Sequence, residues 1–429
     1  MPAGGTFKKM PSHGTHGTVI VGAGQGGYQV AASLREAGYE APVIIVGDEP
    51  VAPYQRPPLS KAYLLGEMTG DRLMLRPESF YETRGIDLLL GGRVSGIDRS
   101  AARIHLASGS SLSYDHLVLA LGARNRLLPV EGADLDGVMY LRTLAESDAI
   151  HDRFEAADTI VVIGAGFIGL ELAAVASKYG KEVHVVEALP RVMSRVVSPD
   201  ISAFYAEAHT AWGTTMHLNA RLERIDGRDG LVTGVTLAGG KTIAADLVLV
   251  GIGIVPNVEL AQEAGLNCDN GIVVDKHLVT ADLAISAIGD CASFPDPVTH
   301  RHIRLESVQN AVDQARCVAK RITGSAEAYS AVPWFWSDQR DLKLQMVGLA
   351  NGCDHTVIRG DVAQRAFSVF CFKDGRLAGI ESVNRAADHM FGRRLLAANE
   401  SVTPEEAADT SFDLKARLAR VGGAAQPAG

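Results

Sequence analysis

Thr18-Val19-Ile20-Val21-Gly22-Ala23-Gly24-Gln25-Gly26-Gly27 is the stretch on which the fold turns. A short β-branched run reads as a strand, and a glycine turn follows it at once. A helical pattern then runs from Tyr28 to Ala37 and closes at Gly38. A second apolar strand, Val43 to Val46, ends in Gly47-Asp48-Glu49. Strand, glycine turn, helix, strand and acid, in that order, form the pattern of a dinucleotide-binding unit. The glycines have separate duties. Gly22 permits the tight turn, Gly24 lets backbone approach a pyrophosphate, and Gly27 lets helix pack on strand. The pyrophosphate then sits at the helix N-terminus, where free N–H groups and the helix dipole favour anions. Asp48 or Glu49 is placed to bind a ribose hydroxyl.

The unit recurs. Thr159 to Ile163 is the strand, Gly164-Ala165-Gly166-Phe167-Ile168-Gly169 the turn, and about Leu170 to Tyr179 the helix, closed by Gly180. Val183 to Val186 is the next strand and Glu187 its terminal acid. One such glycine motif is a weak signal. Two copies, each with flanking strands and a placed acid, are a strong one. Glu187 stands where a 2′-phosphate would meet its charge, whereas a free 2′-hydroxyl would donate to it. The second site therefore prefers NADH over NADPH. Arg191 and Arg195 follow closely and are read either as adenosine or pyrophosphate contacts or as solvent-facing charges.

Later segments extend the duplication. Tyr114 to Gly122 is a strand ending in small residues, including Ala120, and Asp246 to Gly253 repeats it nearly residue for residue. Ile285 to Asp290 gives a strand ending in Gly-Asp. A carboxylate there can accept a hydroxyl from a ribityl chain. The competing reading of Asp290 is a helix N-cap.

Composition sets the bounds. A chain of 429 residues is too long for one ordinary core, so two or three domains are expected. A net charge of -9 argues against nucleic-acid binding, whose footprint is usually basic. Cys268, Cys291, Cys317, Cys353 and Cys371 include no C-x-x-C pair, which fits free thiols in a reducing compartment. Residues 1–17 lack an apolar run and read as a flexible leader, not a signal peptide. Leu247 to Val255, the most apolar stretch, is too short to span a membrane. The expected location is the cytoplasm.

The most specific stretches are Tyr54-Gln55-Arg56-Pro57-Pro58-Leu59-Ser60-Lys61-Ala62-Tyr63-Leu64, Tyr140-Leu141-Arg142-Thr143-Leu144, Gly166-Phe167-Ile168-Gly169-Leu170-Glu171, Glu306-Ser307-Val308-Gln309-Asn310-Ala311 and Pro333-Trp334-Phe335-Trp336-Ser337-Asp338-Gln339. With these, the chain from Thr18 to about Leu396 resembles the ferredoxin reductases of the putidaredoxin reductase type, which serve bacterial cytochrome P450 and ring-hydroxylating dioxygenase systems. Two small departures are Leu121, where related flavoproteins often carry Thr, and Gln309, where Pro is common.

The resemblance implies an α/β, glutathione reductase-like fold: two Rossmann-like dinucleotide-binding domains, for FAD and NAD, plus a C-terminal α+β domain. The FAD domain is expected over 18–123 and 254–330, the NAD domain over 124–253, and a C-terminal interface domain over 331–429. It implies that Gly22, Gly24, Gly26 and Gly27 hold the FAD pyrophosphate, with Asp48 on the ribose and Val94 at the adenine end through backbone. Arg56, Ala120 and Arg142 join that site, Asp290 binds ribityl, Val308 meets the pyrimidine edge, and Trp336 reaches the flavin. Lys61 lies beside the reactive ring, paired with Glu171 near the nicotinamide. NADH takes Gly164, Gly166, Ile168, Gly169, Glu187, Arg195 and Gly253.

The implied reaction passes hydride from NADH to FAD and single electrons to an acidic 2Fe–2S ferredoxin. Arg301, Arg304 and Lys343 are the candidate docking charges. Plainer readings stand beside these: a solvated Lys61, a Glu171 that offsets a helix dipole from the first turn, ordinary core tryptophans, and scattered surface charge. Disulfide reductases of this fold carry a cysteine pair by the flavin, and peroxidase relatives one cysteine. Val51 to Leu65 holds none, and Cys291 reads as a packing residue. A rubredoxin reductase and an NADH-sensing interaction protein are the alternatives; an NADH oxidase is disfavoured by the missing cysteine.

Overall fold

The computed structural model describes residues 16–297 and 299–417, so the leader expected over 1–17 lies, but for His16 and Gly17, outside the described residues. Every residue of the strand Thr18–Val21 is buried, because the strand occupies the middle of a parallel sheet. A strand covered on both faces needs a continuous apolar run, and Val-Ile-Val supplies one. The five strands run in the order Ile285–Ala287, His116–Leu119, Thr18–Val21, Val43–Gly47, Ile86–Leu90. The helix after the first strand is Gln25–Glu36. It starts three residues before the sequence pattern predicts, its first turn closed by Tyr28 N–H donating to the Gly24 carbonyl at 3.0 Å. Glycines carry no apolar period, so the pattern misses them although their N–H groups begin the helix.

The second sheet repeats the first. Its order is Val138–Tyr140, Leu247–Val250, Thr159–Ile163, Glu182–Val186, Thr214–His217, all parallel. Its helix, Phe167–Lys178, likewise starts three residues before the predicted Leu170. In each sheet the glycine turn follows the central strand. The outer strand beside His116–Leu119 comes from far downstream, whereas the one beside Leu247–Val250 comes from just before Thr159–Ile163. Each sheet also carries a three-stranded antiparallel meander, Val94–Asp98 to Ser111–Ser113 in one and Leu222–Arg228 to Thr242–Ala244 in the other.

Contacts divide the chain into two compact units. The first holds the described residues up to Gln55 with Thr69–Arg124 and Ile254–Ala331. Its core joins the first sheet to Ala315, Val318 and Ala319 of the helix Val308–Ile322, which lies along Gln25–Glu36. The second holds Arg56–Met68, Asn125–Gly253 and the described residues from Val332. Two differences from the expected domains stand out. The segment 56–68 was expected with the first sheet but packs within the second unit. Its short helix Pro57–Ser60 meets the helices Leu144–Ala156 and Phe167–Lys178, with Ser147 Oγ donating to the Leu59 carbonyl at 2.9 Å and Lys178 paired to Glu67. The C-terminal region, expected as a separate domain, shares that unit. It is a five-stranded antiparallel sheet in the order Trp334–Gln339, Leu342–Gly348, Arg376–Val383, Ala366–Lys373, His355–Asp361, followed by the helices Ala386–Ala397 and Pro404–Ala408. Among the described residues no helix is long and apolar enough to cross a membrane.

One buried carboxylate ties this C-terminal sheet to the loop after Glu187. Both oxygens of Glu381 accept from the Ser198 N–H, at 3.1 and 3.0 Å, and the side chain is 1% exposed. Burial pushes its pKa up to about 7 from an ordinary 4.5, against the opposing pull of the Ser198 bonds. The folded chain thus binds this proton more tightly than the unfolded chain does. Stability from Glu381 is present in full below 4.5 and is lost as pH rises through 7. Glu381→Gln keeps an acceptor for Ser198 and removes the charge. It is expected to stabilise the protein by roughly 1–3 kcal/mol at about pH 8.5 and to change little at about pH 4.5. Melting temperatures of the two proteins across that range check it.

Candidate functional site

Each glycine turn is built around one contact. A Cβ on Gly27 would stand 1.9 Å from the Gly22 carbonyl oxygen, and a Cβ on Gly169 would stand 2.0 Å from that of Gly164. The third glycine therefore lets the helix seat on the first. Gly22 and Gly164 sit at φ +118 and +97, where L side chains are strained. The middle glycines differ. Gly24 and Gly166 have extended backbone that any residue adopts, and Gly24 has nothing within 4 Å of its Cβ position. There the missing side chain leaves room and does not relieve strain.

That room faces two helix starts without a side-chain cap. Gln25–Glu36 and Phe167–Lys178 have no side-chain cap and no acid in the first turn. The other helices of ten or more described residues have one or the other: caps from Thr143, Ser198 and Ser307, and Asp388 in the first turn of Ala386–Ala397. Free N–H groups without a competing carboxylate suit a phosphate.

In the first unit the expected residues gather round the cradle. A Cβ on Gly26 would meet Ile288 at 3.2 Å and Ala311 at 3.7 Å, so the segments bearing Asp290 and Val308 converge on it. Ala120 N–H donates to Val21, and the Ala120 carbonyl lies against Gly22. Gly92 and Gly91 donate to Gly47 and Glu49, which brings the start of the Val94 strand beside Asp48. Asp48 is exposed, whereas Glu49 accepts from Tyr54 Oη at 2.7 Å, which favours Asp48 as the ribose acid. Asp290 sits inside the 3-10 turn Gly289–Cys291, not at the cap position before it. Cys291 is fully buried, and burial pushes its thiol up to about 12, so it is a packing residue.

In the second unit Glu187 Oε2 accepts from the Ala165 N–H of the glycine turn, and Oε1 from Leu189, both at 2.8 Å. By strand register Gly47 stands at the matching place in the first sheet, where a Cβ would meet Ala23 at 2.5 Å. The first acid therefore comes one residue later. Arg191 donates to the Val197 and Ser194 carbonyls and holds its own loop together, whereas Arg195 is exposed. Gly253, at φ +102, has nothing within 4 Å of its Cβ position, and Ile168 is exposed at the helix start.

Lys61 and Glu171 form a buried ion pair. Lys61 Nζ lies 2.6 Å from Glu171 Oε2, with the side chains 17% and 2% exposed. Ser60 Oγ donates to the same oxygen at 2.5 Å, and Ser337 Oγ donates to Oε1 at 2.6 Å. The first turn of the helix Phe167–Lys178 holds no acid, so Glu171 serves this pair and not the helix dipole. Arg56 donates to the Arg142 carbonyl at 2.5 Å, joining two more expected residues. Trp336 is half-buried, with its ring 5.6 Å from that of Trp334, as two residues on one strand face should be.

The model of the pyridine nucleotide-disulphide oxidoreductase family matches residues 16–315, and the Reductase C-terminal model matches 334–418. The chain belongs to the pyridine nucleotide-disulphide oxidoreductase family. Rhodocoxin reductase of Rhodococcus erythropolis is 52% identical over 94% of each chain. The crystal structure of a ferredoxin reductase from Rhodopseudomonas palustris matches with a TM-score of 0.92 at 54% identity, covering 94% of this chain and 99% of that one. The covalent putidaredoxin reductase–putidaredoxin complex matches with a TM-score of 0.92 at 40% identity, over 95% and 99% of the two chains. For a member of this family, the chain has no cysteine where the reactive disulphide is expected, and all five of its thiols are free.

The structure corrects one docking residue. Arg304 faces inward: it pairs with Glu306 at 2.8 Å, donates to Asn270 and to the Asp290 carbonyl, and is only 10% exposed. Its charge is neutralised beside the Asp290 turn and is not offered outward. Arg301 and Lys343 are exposed.

Gly169→Ala is expected to destabilise the protein by about 1–3 kcal/mol, because the Gly164 carbonyl cannot yield without shifting the turn. Denaturant unfolding checks this, and an unchanged midpoint would show that the turn is looser than the contact implies.

Proposed function

We propose that the protein is an FAD-dependent NADH:ferredoxin oxidoreductase that supplies a 2Fe–2S ferredoxin and, through it, a cytochrome P450 or a ring-hydroxylating dioxygenase. The observation that carries the reading is the buried Lys61–Glu171 pair on the helix that opens at the second glycine cradle, in a chain with no redox thiol pair. The likeness to rhodocoxin reductase and to the putidaredoxin reductase complex supports the partner class. A cytoplasmic location goes with it.

Gly22, Gly24, Gly26, Gly27, Asp48, Val94, Ala120, Asp290 and Val308 would hold FAD, and Arg56, Arg142 and Trp336 are the further residues expected to contact it. Gly164, Gly166, Ile168, Gly169, Glu187, Arg195 and Gly253 would hold NADH. Bound FAD supplies the exchange of one hydride for two single electrons, which a one-electron iron–sulfur acceptor requires. Lys61 sets a positive charge where negative charge develops on hydride transfer. Glu171 holds the Lys61 ammonium in one place. The Glu187 carboxylate accepts a ribose hydroxyl and repels a 2′-phosphate. Arg301 and Lys343 present outward charge to an acidic ferredoxin.

Two measurements test this. Lys61→Met should slow reduction of the bound flavin by NADH at least about tenfold in single turnover. An unchanged rate would remove Lys61 from the mechanism. Arg301→Glu with Lys343→Glu should raise the half-saturating ferredoxin concentration several-fold and flatten its salt dependence, leaving reduction by NADH as it was.

A further inference from the structure

Glu171 is held from two sides, and the ion pair accounts for only one of them. Oε2 takes Lys61 and Ser60, while Oε1 takes Ser337. Behind Ser337 the hydrogen bonds continue. Gln339 Nε2 donates to Ser337 Oγ at 3.2 Å, and Gln339 Oε1 lies 2.8 Å from His209 Nε2. Ser337, Gln339 and His209 are 0%, 1% and 0% exposed. A row of neutral polar groups in that setting is held by the bonds its members make to one another.

The direction of the row is forced. A carboxylate accepts only, so the Ser337 hydroxyl donates to Glu171. Ser337 can then only accept from Gln339, which fixes the amide with its NH2 toward Ser337 and its oxygen toward His209. His209 must therefore carry its proton on Nε2. Burial pushes the His209 pKa down to about 4, with Arg340 adding to the effect, so the ring stays neutral. Its Nδ1 has no partner among the described residues. Each group donates toward Glu171 and none donates back.

Strand and helix geometry explains why these residues meet. On Trp334–Gln339, residues 335, 337 and 339 share one face. Phe335 lies on Phe167 with ring centroids 4.6 Å apart, and Ser337 lies on Glu171. Two strand residues advance about 6.8 Å and four helix residues about 6 Å, so the pairs 335–167 and 337–171 stay in step. The helix so engaged is the one whose N-terminus forms the second glycine cradle.

We propose that Ser337, Gln339 and His209 are positioning residues for the reaction: a one-way row of donors that fixes Glu171 through Oε1 so that Oε2 stays on Lys61. The proposal rests on the reading of Lys61 given above. A purely structural polar core would use the same bonds but would not act through Lys61.

The test uses the FAD-loaded full chain carrying Ser337→Ala, Ser337→Thr or Gln339→Met, alone and with Lys61→Met. Ser337→Ala should lower the limiting rate of flavin reduction about tenfold or more, with half-saturating NADH changed less than about threefold. Ser337→Thr, which keeps the hydroxyl, should restore most of the rate. With Lys61→Met already present, Ser337→Ala should slow the reaction no further, because both changes remove one arrangement. If Ser337→Ala does not take up FAD, Gln339→Met probes the same row with the same expectation. Independently of turnover, nitrogen-15 NMR should find His209 as the Nε2–H tautomer, without titration between roughly pH 5.5 and 8.5. A full rate in a folded Ser337→Ala protein, an effect that adds to that of Lys61→Met, or a proton on Nδ1 would each overturn the proposal. If Lys61→Met itself leaves the rate unchanged, the reading of Lys61 falls and this inference falls with it. If Lys61→Met is slow and Ser337→Ala is not, only this inference falls.

Discussion

Both dinucleotide units depend on the closeness of two backbones. Gly27 and Gly169 lie so near the carbonyls of Gly22 and Gly164 that a single methyl group would fill the space. This contact sets each helix on its strand and aims the helix N-terminus into the room left by Gly24 or Gly166. The phosphate-binding property is therefore a packing property first. It needs no charged side chain, and neither helix start carries one. Charge enters only at the margins, where Glu187 takes N–H bonds from its own turn and Asp48 stands one position further along its strand than Glu187 does.

The second unit adds an ion pair between Lys61 and a buried Glu171. Lys61 arrives on a proline-rich segment and Glu171 on the helix that the cradle begins. Burying such a pair is unfavourable unless its remaining lone pairs are used. Ser60 and Ser337 use them, and the C-terminal strand that carries Ser337 is thereby bonded to the helix of the nucleotide-binding unit. The placement of 56–68 and of the C-terminal sheet in one unit follows from that requirement.

The glycine turns, their flanking strands and Glu187 were legible in the sequence because each is decided by local rules: period two, φ above zero, and an acid at a strand end. The Lys61–Glu171 pairing was legible only through resemblance, since nothing local links residues so far apart. His209 left no signal, because one histidine in an amphipathic helix looks like any other. Ser337 and Gln339 stand two apart in the tryptophan segment, but without the helix opposite nothing marked them for a role. Arg304 misled for a related reason: a charge beside a motif reads as available until its partners, Glu306 and the Asp290 carbonyl, are seen.

The two matching sheets close in the reverse of their written order. The sheet around Thr159–Ile163 has all five strands once Leu247–Val250 has been made, whereas the sheet around Thr18–Val21 waits for Ile285–Ala287. A chain leaving the ribosome therefore holds its first-made strands with one edge open while a whole second sheet is completed. For that interval Leu117–Leu119 presents an unpaired, apolar edge, the kind of surface that invites a wrong partner. The first parallel sheet is begun earliest and closed after the second, and the interruption in its sequence is also a delay in its folding.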